Sequence, residues 1–206
     1  MPKLLTRKSK IRLQGYDYTQ SNHYFITACT DNKQEWFGEI KNNEMILNNY
    51  GNIIKQQWQW LGQQYPYVKL DEYIIMPNHV HGIIIINNLY INHFVTARSR
   101  PGPTHSNNIK IKSLSSLIGA FKTTSSKSIR LNGLSDFIWQ RSFHDHIIRN
   151  EKSLQKIREY IINNPASWAE DEENINCITT QSSGFFPPRF SSGLQKPLIS
   201  GVIPKK

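Results

Sequence analysis

Apolar positions fall in short blocks along the chain, and the spacing within each block predicts mixed α and β structure. Tyr24 to Thr30 is aromatic and β-branched, which predicts a first strand. Trp36 to Ile40 and Met45 to Leu47 flank Asn42-Asn43 and predict a small hairpin, the Asn pair being a softer turn signal than Asn-Gly. From Tyr50 to Tyr65, Ile53, Ile54, Trp58 and Leu61 recur at helical spacing and predict a first helix. Val68 to Ile75 reads as a second strand. After the Pro77-Asn78 turn, His79 to Ile86 reads as a third strand, apolar on both sides and so expected to be covered on both.

Between Asn87 and about residue 112 the pattern breaks up around Arg98-Ser99-Arg100-Pro101-Gly102-Pro103, which predicts an inserted basic loop. Ser113 to Leu131 is helical, with Leu114, Leu117, Ile118, Phe121 and Ile129 as its apolar stripe and Ser115, Lys122, Thr123, Lys127 and Arg130 on the other side. Phe137 to Arg141 and Phe143 to Ile148 predict a further strand. The last helix runs from Glu151 to about Asn164, capped by Asn150 and ended by Pro165, which disfavours helical geometry in the residue before it. Beyond Trp168 the acidic run Glu170 to Glu173 leads into Ser, Gly and Pro-rich sequence. The expected organisation is one domain over residues 1–168 and a poorly ordered extension over 169–206.

Charge narrows the choice of partner. With 25 Lys+Arg against 15 Asp+Glu, the net charge of +10 points to a polyanion, and nucleic acid is the first candidate. A basic arm of Arg7, Lys8, Lys10 and Arg12, the loop cations Arg98 and Arg100, the helix cations Lys122, Lys127 and Arg130, and Arg141 and Arg149 are the candidate DNA contacts. Cys29 and Cys177 stand far apart, which suits a reducing compartment and no thiol-ligated metal. No run approaches membrane-spanning length and the start lacks a signal-peptide core, so a cytoplasmic protein without a membrane partner is expected.

The candidate chemistry begins at His79-Val80-His81. Residues i and i+2 of a strand face the same way, so both imidazoles can reach one metal ion or form a buried structural pair. A second pair, His144 and His146, competes for the role but has Asp145 rather than an apolar residue between its members. On the last helix Tyr160 and Asn164 are spaced i, i+4 and point to one spot. Tyr160 is either an amphipathic core tyrosine or a nucleophile toward a phosphodiester, with Asn164 as a neutral oxygen ligand. Free tyrosine has a pKa of about 10, so the nucleophile needs help in losing its proton.

Three segments then fall in a telling order: Met76-Pro77-Asn78-His79-Val80-His81-Gly82, Trp139-Gln140-Arg141 with His146-Ile147-Ile148-Arg149, and Arg158-Glu159-Tyr160-Ile161-Ile162-Asn163-Asn164-Pro165. Together they resemble the REP-associated tyrosine transposases, single-tyrosine HUH enzymes related to the smallest insertion-sequence transposases. Tyr16 to Gln20 and Tyr24 to Thr27 are similar too, and the likeness spans roughly residues 7 to 168. The resemblance implies an α+β fold, ferredoxin-like or RRM-like, with an antiparallel sheet, packed helices, a C-terminal catalytic helix and a flexible tail. It implies His79, His81 and Asn164 as ligands of Mg²⁺ or Mn²⁺ and Tyr160 as nucleophile. It also implies hairpin-bearing single-stranded DNA as substrate, a 5′-phosphotyrosine intermediate, and action as a monomer or homodimer. Two other readings stay open: a non-catalytic RRM-like binder of hairpin sequences, and a metallohydrolase, which lacks an obvious carboxylate ligand near Asn78 to Gly82.

Overall fold

The computed structural model of the protein describes residue 13 and residues 15–88 and 110–175. The basic arm with Arg7, Lys8, Lys10 and Arg12, the loop cations Arg98 and Arg100, and the chain from 176 onward lie outside the described residues. The elements are β1 (Asn22–Cys29), β2 (Gly38–Lys41), β3 (Glu44–Leu47), α1 (Asn49–Gln64), β4 (Val68–Ile75), β5 (His79–Ile86), α2 (Leu114–Leu131), β6 (His144–Ile148) and α3 (Glu151–Asn163). This is the expected α+β arrangement.

Four strands form an antiparallel sheet in the order β4-β5-β1-β6, and β2 and β3 pair separately. The β2–β3 turn works because Asn42 and Asn43 both adopt positive φ, 51° and 63°, which two-residue hairpin turns require and asparagine tolerates.

Alternation along β1 and β5 sorts the side chains into two cores. Tyr24, Ile26 and Ala28 of β1 and Val80, Ile84 and Ile86 of β5 face α1 and α2, where they meet Ile54, Trp58, Leu61, Leu117, Ile118 and Phe121. The opposite face carries Phe25, Ile83, Ile85 and Ile148 and is covered by Leu154, Ile157 and Ile161 of α3. Each fully buried isoleucine contributes about 1.5–3 kcal/mol, so β5, covered on both faces, is the spine of the domain. Polar caps fix the helix starts: Asn48, Ser113 and Asn150 each accept from a backbone N–H three residues on. Arg158 clamps α3 to β4 through a two-pronged bond to Asp71, Nε to Oδ1 at 3.1 Å and Nη2 to Oδ2 at 2.6 Å.

Two expectations are corrected. Phe137 to Arg141 forms no strand beyond one bridge between Thr30 and Trp139. Around that bridge Asp31 N–H donates to Ile138 O and Gln140 N–H to Cys29 O, and the alternate carbonyls are taken by α2 side chains, Arg130 donating to Phe137 O and Lys122 to Gln140 O, so the pairing extends no further. Nor does the chain leave helical geometry before Pro165. Asn164 sits at φ −58°, ψ −40°, and the backbone tightens into a 3₁₀ segment, Asn164–Glu170, with proline in its first turn where a missing N–H costs nothing. Among the described residues, no helix is long and apolar enough to cross a membrane.

Gly82 shows how tightly the histidine strand is packed. A Cβ there would fall on the six-membered ring of the Trp58 indole. Gly82→Ala should therefore cost about 1–3 kcal/mol in urea unfolding. Trp58→Phe, which removes the offending ring, should make the same glycine change cheaper, and strict additivity of the two changes would show that the strand relaxes elsewhere.

Candidate active site

The turn before β5 is pinned by backbone bonds from three directions: Phe37 N–H donates to Pro77 O, Thr30 N–H to Asn78 O and Met76 N–H to His79 O. On this rigid mount Asn78 is fully buried. Its Nδ2 donates to two carbonyls, Lys33 O at 3.1 Å and Glu173 O at 2.7 Å. Carbonyls only accept, so the amide cannot be flipped, and Oδ1 must be the atom that meets His79 Nδ1 at 2.8 Å. His79 therefore carries its proton on Nδ1. Its Nε2 is left as a buried lone pair with no hydrogen-bond partner.

His81 lies beside it, with the two ring centres 4.3 Å apart. Its Nδ1 is 2.9 Å from Thr27 Oγ1 and its Nε2 is 3.2 Å from the Tyr160 hydroxyl. Phe25 stacks on the His81 ring and meets Tyr160 edge-on, while Trp168 borders His79. Burial lowers the pKa of both imidazoles. His79 falls well below the ordinary value, helped by the charges of His81 and Lys33, and His81 falls to about 4 although Asp171 and Glu173 oppose the shift. Both rings are neutral at pH 7, the state in which a histidine can ligate metal.

Helix α3 delivers Tyr160 to this spot and its C-cap, Asn164, follows one turn later and is 1% exposed. Asn164 Nδ2 donates to Asp171 Oδ2 at 3.0 Å, while its Oδ1 is buried without a partner. Asp171, itself buried, completes a group in which one ligand atom from each of His79, His81 and Asp171 lies within 4.8 Å of the others. The 3₁₀ segment folds the chain back to place it there. Lys33 holds that return segment by donating to Glu172 O and pairing with Glu173 at 3.4 Å. Burial raises the pKa of Tyr160, as does the charge of Asp171, while the neighbouring Asn164 amide works the other way.

The donor set fits a divalent cation. The His79 lone pair and the Asn164 amide oxygen are buried without a donor, and a cation held between them could also take the second imidazole and the buried carboxylate. Of the residues picked out in the sequence, His79, His81, Tyr160 and Asn164 thus come together. Asp171 did not stand out there, because an acidic run in a polar tail reads as solvated surface. The competing pair, His144 and His146, sits on β6, separated from β5 by β1, with His144 exposed. Lys122, Lys127, Arg130 and Arg141 line one groove beside α2, and Arg149 is exposed outside it.

No protein-family model matches the chain. An uncharacterized protein of Haemophilus influenzae is 40% identical over 172 residues, covering 80% of this chain and 92% of the relative. Among solved structures, a REP-associated tyrosine transposase bound to a REP hairpin superposes with a TM-score of 0.51 at 16% identity, covering 76% of this chain and 73% of that one. A candidate transposase of Deinococcus radiodurans gives a TM-score of 0.42 at 15% identity, over 74% of this chain and 95% of the other. The chain belongs to one family with the Haemophilus influenzae protein, and its fold is that of the REP-associated tyrosine transposases.

Proposed function

We propose that the protein is a metal-dependent endonuclease and strand transferase that cuts single-stranded DNA beside a hairpin through a covalent 5′-phosphotyrosine. The observation that carries this reading is the Tyr160 hydroxyl, 3.2 Å from His81 Nε2, in a buried cluster where His79 Nε2 and Asn164 Oδ1 have no partner. The hairpin as substrate is supported by the similar fold of a protein solved with a REP hairpin and by the net charge of +10.

His79, His81 and Asp171 would hold the ion, Mg²⁺ or Mn²⁺, with Asn164 Oδ1 as a further oxygen ligand. When bound, it supplies positive charge that polarises the scissile phosphate and favours the tyrosinate. The chain's own residues do the rest. Phe25 and His81 fix the phenol ring, so its oxygen has one direction of attack. Tyr160 Oη forms a bond to phosphorus as the bond from phosphorus to the 3′-oxygen breaks. The phenolic proton is removed, the departing 3′-oxygen gains one, and the 5′-phosphate stays on the enzyme. One phosphodiester replaces another, so the step is reversible and consumes no nucleotide.

One observation favours a second reading. Asp171 supplies the carboxylate that a water-activating metallohydrolase needs, and such an enzyme would release its product without an adduct. Denaturing electrophoresis after incubation with labelled hairpin DNA and Mn²⁺ separates the two. A covalent protein–DNA band should form, vanish on chelation and vanish in Tyr160→Phe, while that variant binds DNA within about twofold of the parent. Cleaved DNA without the band would favour the hydrolase, and tight binding without cleavage a regulatory binder.

Cation binding can be read without DNA. His79→Ala should weaken Mn²⁺ binding, followed by electron paramagnetic resonance, by more than the roughly 10–100-fold typical of losing an outer-shell partner. Equal affinity in this variant would move the site elsewhere. Because burial keeps the His81 pKa near 4, protons do not compete at neutral pH. Affinity should stay flat between about pH 8 and 6 and fall only as acid approaches that value, whereas imidazoles with the ordinary pKa of about 6.5 would lose the ion from about pH 7 downward.

A further inference from the structure

His81 has no ring nitrogen to spare. Its Nδ1 is 2.9 Å from Thr27 Oγ1 and its Nε2 is 3.2 Å from the Tyr160 hydroxyl. An imidazole nitrogen has one position in the ring plane, filled by a lone pair or by a proton, and one partner uses it up. The other groups of the cluster are under no such limit. Among the described residues, His79 Nε2 and Asn164 Oδ1 are buried without a partner. Asp171 accepts from Asn164 Nδ2 at 3.0 Å and from Glu173 N–H at 2.7 Å, but the oxygens of a carboxylate offer about four acceptor positions in all. His79, Asn164 and Asp171 can therefore take a cation without giving up a bond, whereas His81 must release a partner.

Which partner yields follows from how each is mounted. Thr27 stands directly opposite His81 in the β1–β5 ladder and is 7% exposed, so one sheet carries both the hydroxyl and the ring. Tyr160 reaches across from α3, at the longer distance and in a contact that is only partly buried. Its ring does not depend on that bond, because Phe25 also meets it edge-on with ring centres 6.1 Å apart.

We propose that Tyr160 and the cation exclude one another at His81 Nε2, and that Thr27 is the positioning residue that keeps this nitrogen available to either. The hydroxyl of the nucleophile is thereby engaged until the site is loaded and is released by loading. Protons balance in both tautomers. If Tyr160 donates to Nε2, it keeps its proton when the bond breaks. If Nε2 carries the proton, the ring moves it to Nδ1, where Thr27 Oγ1 turns from donor to acceptor, as a hydroxyl can. The proposal rests on the cation site described under the proposed function, but it can fail on its own.

The test reads Mn²⁺ binding to the full chain by electron paramagnetic resonance, without DNA. Tyr160→Phe frees Nε2 and keeps the ring, so it should bind Mn²⁺ about threefold to tenfold more tightly than the parent, the factor that one hydrogen bond of ordinary strength withholds. Thr27→Val, of the same shape, should weaken binding roughly tenfold or more, and Thr27→Ser, which keeps the hydroxyl, should stay within about twofold of the parent. Unchanged binding in Tyr160→Phe would overturn the exclusion, and weaker binding would overturn it by making the phenol oxygen a ligand. Unchanged binding in Thr27→Val would remove Thr27 from its role, and tighter binding would show that the ion takes Nδ1 instead. The exclusion and the tyrosine chemistry are separable. Tighter binding in Tyr160→Phe with no covalent adduct from the parent keeps the first and ends the second, and an adduct without tightening does the reverse.

Discussion

Two carbonyl oxygens, those of Lys33 and Glu173, meet the side-chain nitrogen of Asn78, and the chemistry of the site follows from that meeting. A donor between two acceptors leaves the amide one orientation, and the amide leaves His79 one tautomer. What remains is a nitrogen lone pair inside the protein, aimed at a neighbouring imidazole and a carboxylate. A buried polar atom left in this way costs about 1–3 kcal/mol. An incoming cation is one group that could satisfy it.

The strand itself imposes the second constraint. With α1 and α2 on one side and α3 on the other, β5 has no exposed face on which to place its histidines. The site opens only at the strand's first residues, where the isoleucines give out and Trp168, Phe25 and Tyr160 close around the rings. Burial at that end does two jobs at once. It keeps the imidazoles neutral and it makes the tyrosine hard to ionise, and only added positive charge relieves the second without undoing the first.

Periodicity made most of this legible in the sequence. The period of two set His79 and His81 on one face, and the i, i+4 spacing joined Tyr160 to Asn164, because both rules depend only on neighbours along the chain. Asp171 obeys no such rule. Its burial depends on a 3₁₀ segment continuing through Pro165 and on a lysine 138 positions earlier, 171 less 33, that anchors the return. The same blindness affected Lys122 on α2. An amphipathic pattern tells which face points outward but not that a loop will lay its carbonyls across that face, as the loop carbonyls of Gln140 and Ser142 do at Lys122.

The distances along the chain between partners in the site have a consequence for how it comes into being. His81 meets Tyr160 across 79 residues, Asn78 meets Glu173 across 95 and Lys33 meets Glu172 across 139. Loop closure on that scale comes after local structure has formed, and the return segment past Asn164 has little apolar surface to hold it. The sheet with its two cores is thus one cooperative unit and the acidic return another, weaker one. On this reasoning a newborn chain acquires its isoleucine-rich sheet first and its complete ligand set last, and on warming it would surrender them in the reverse order.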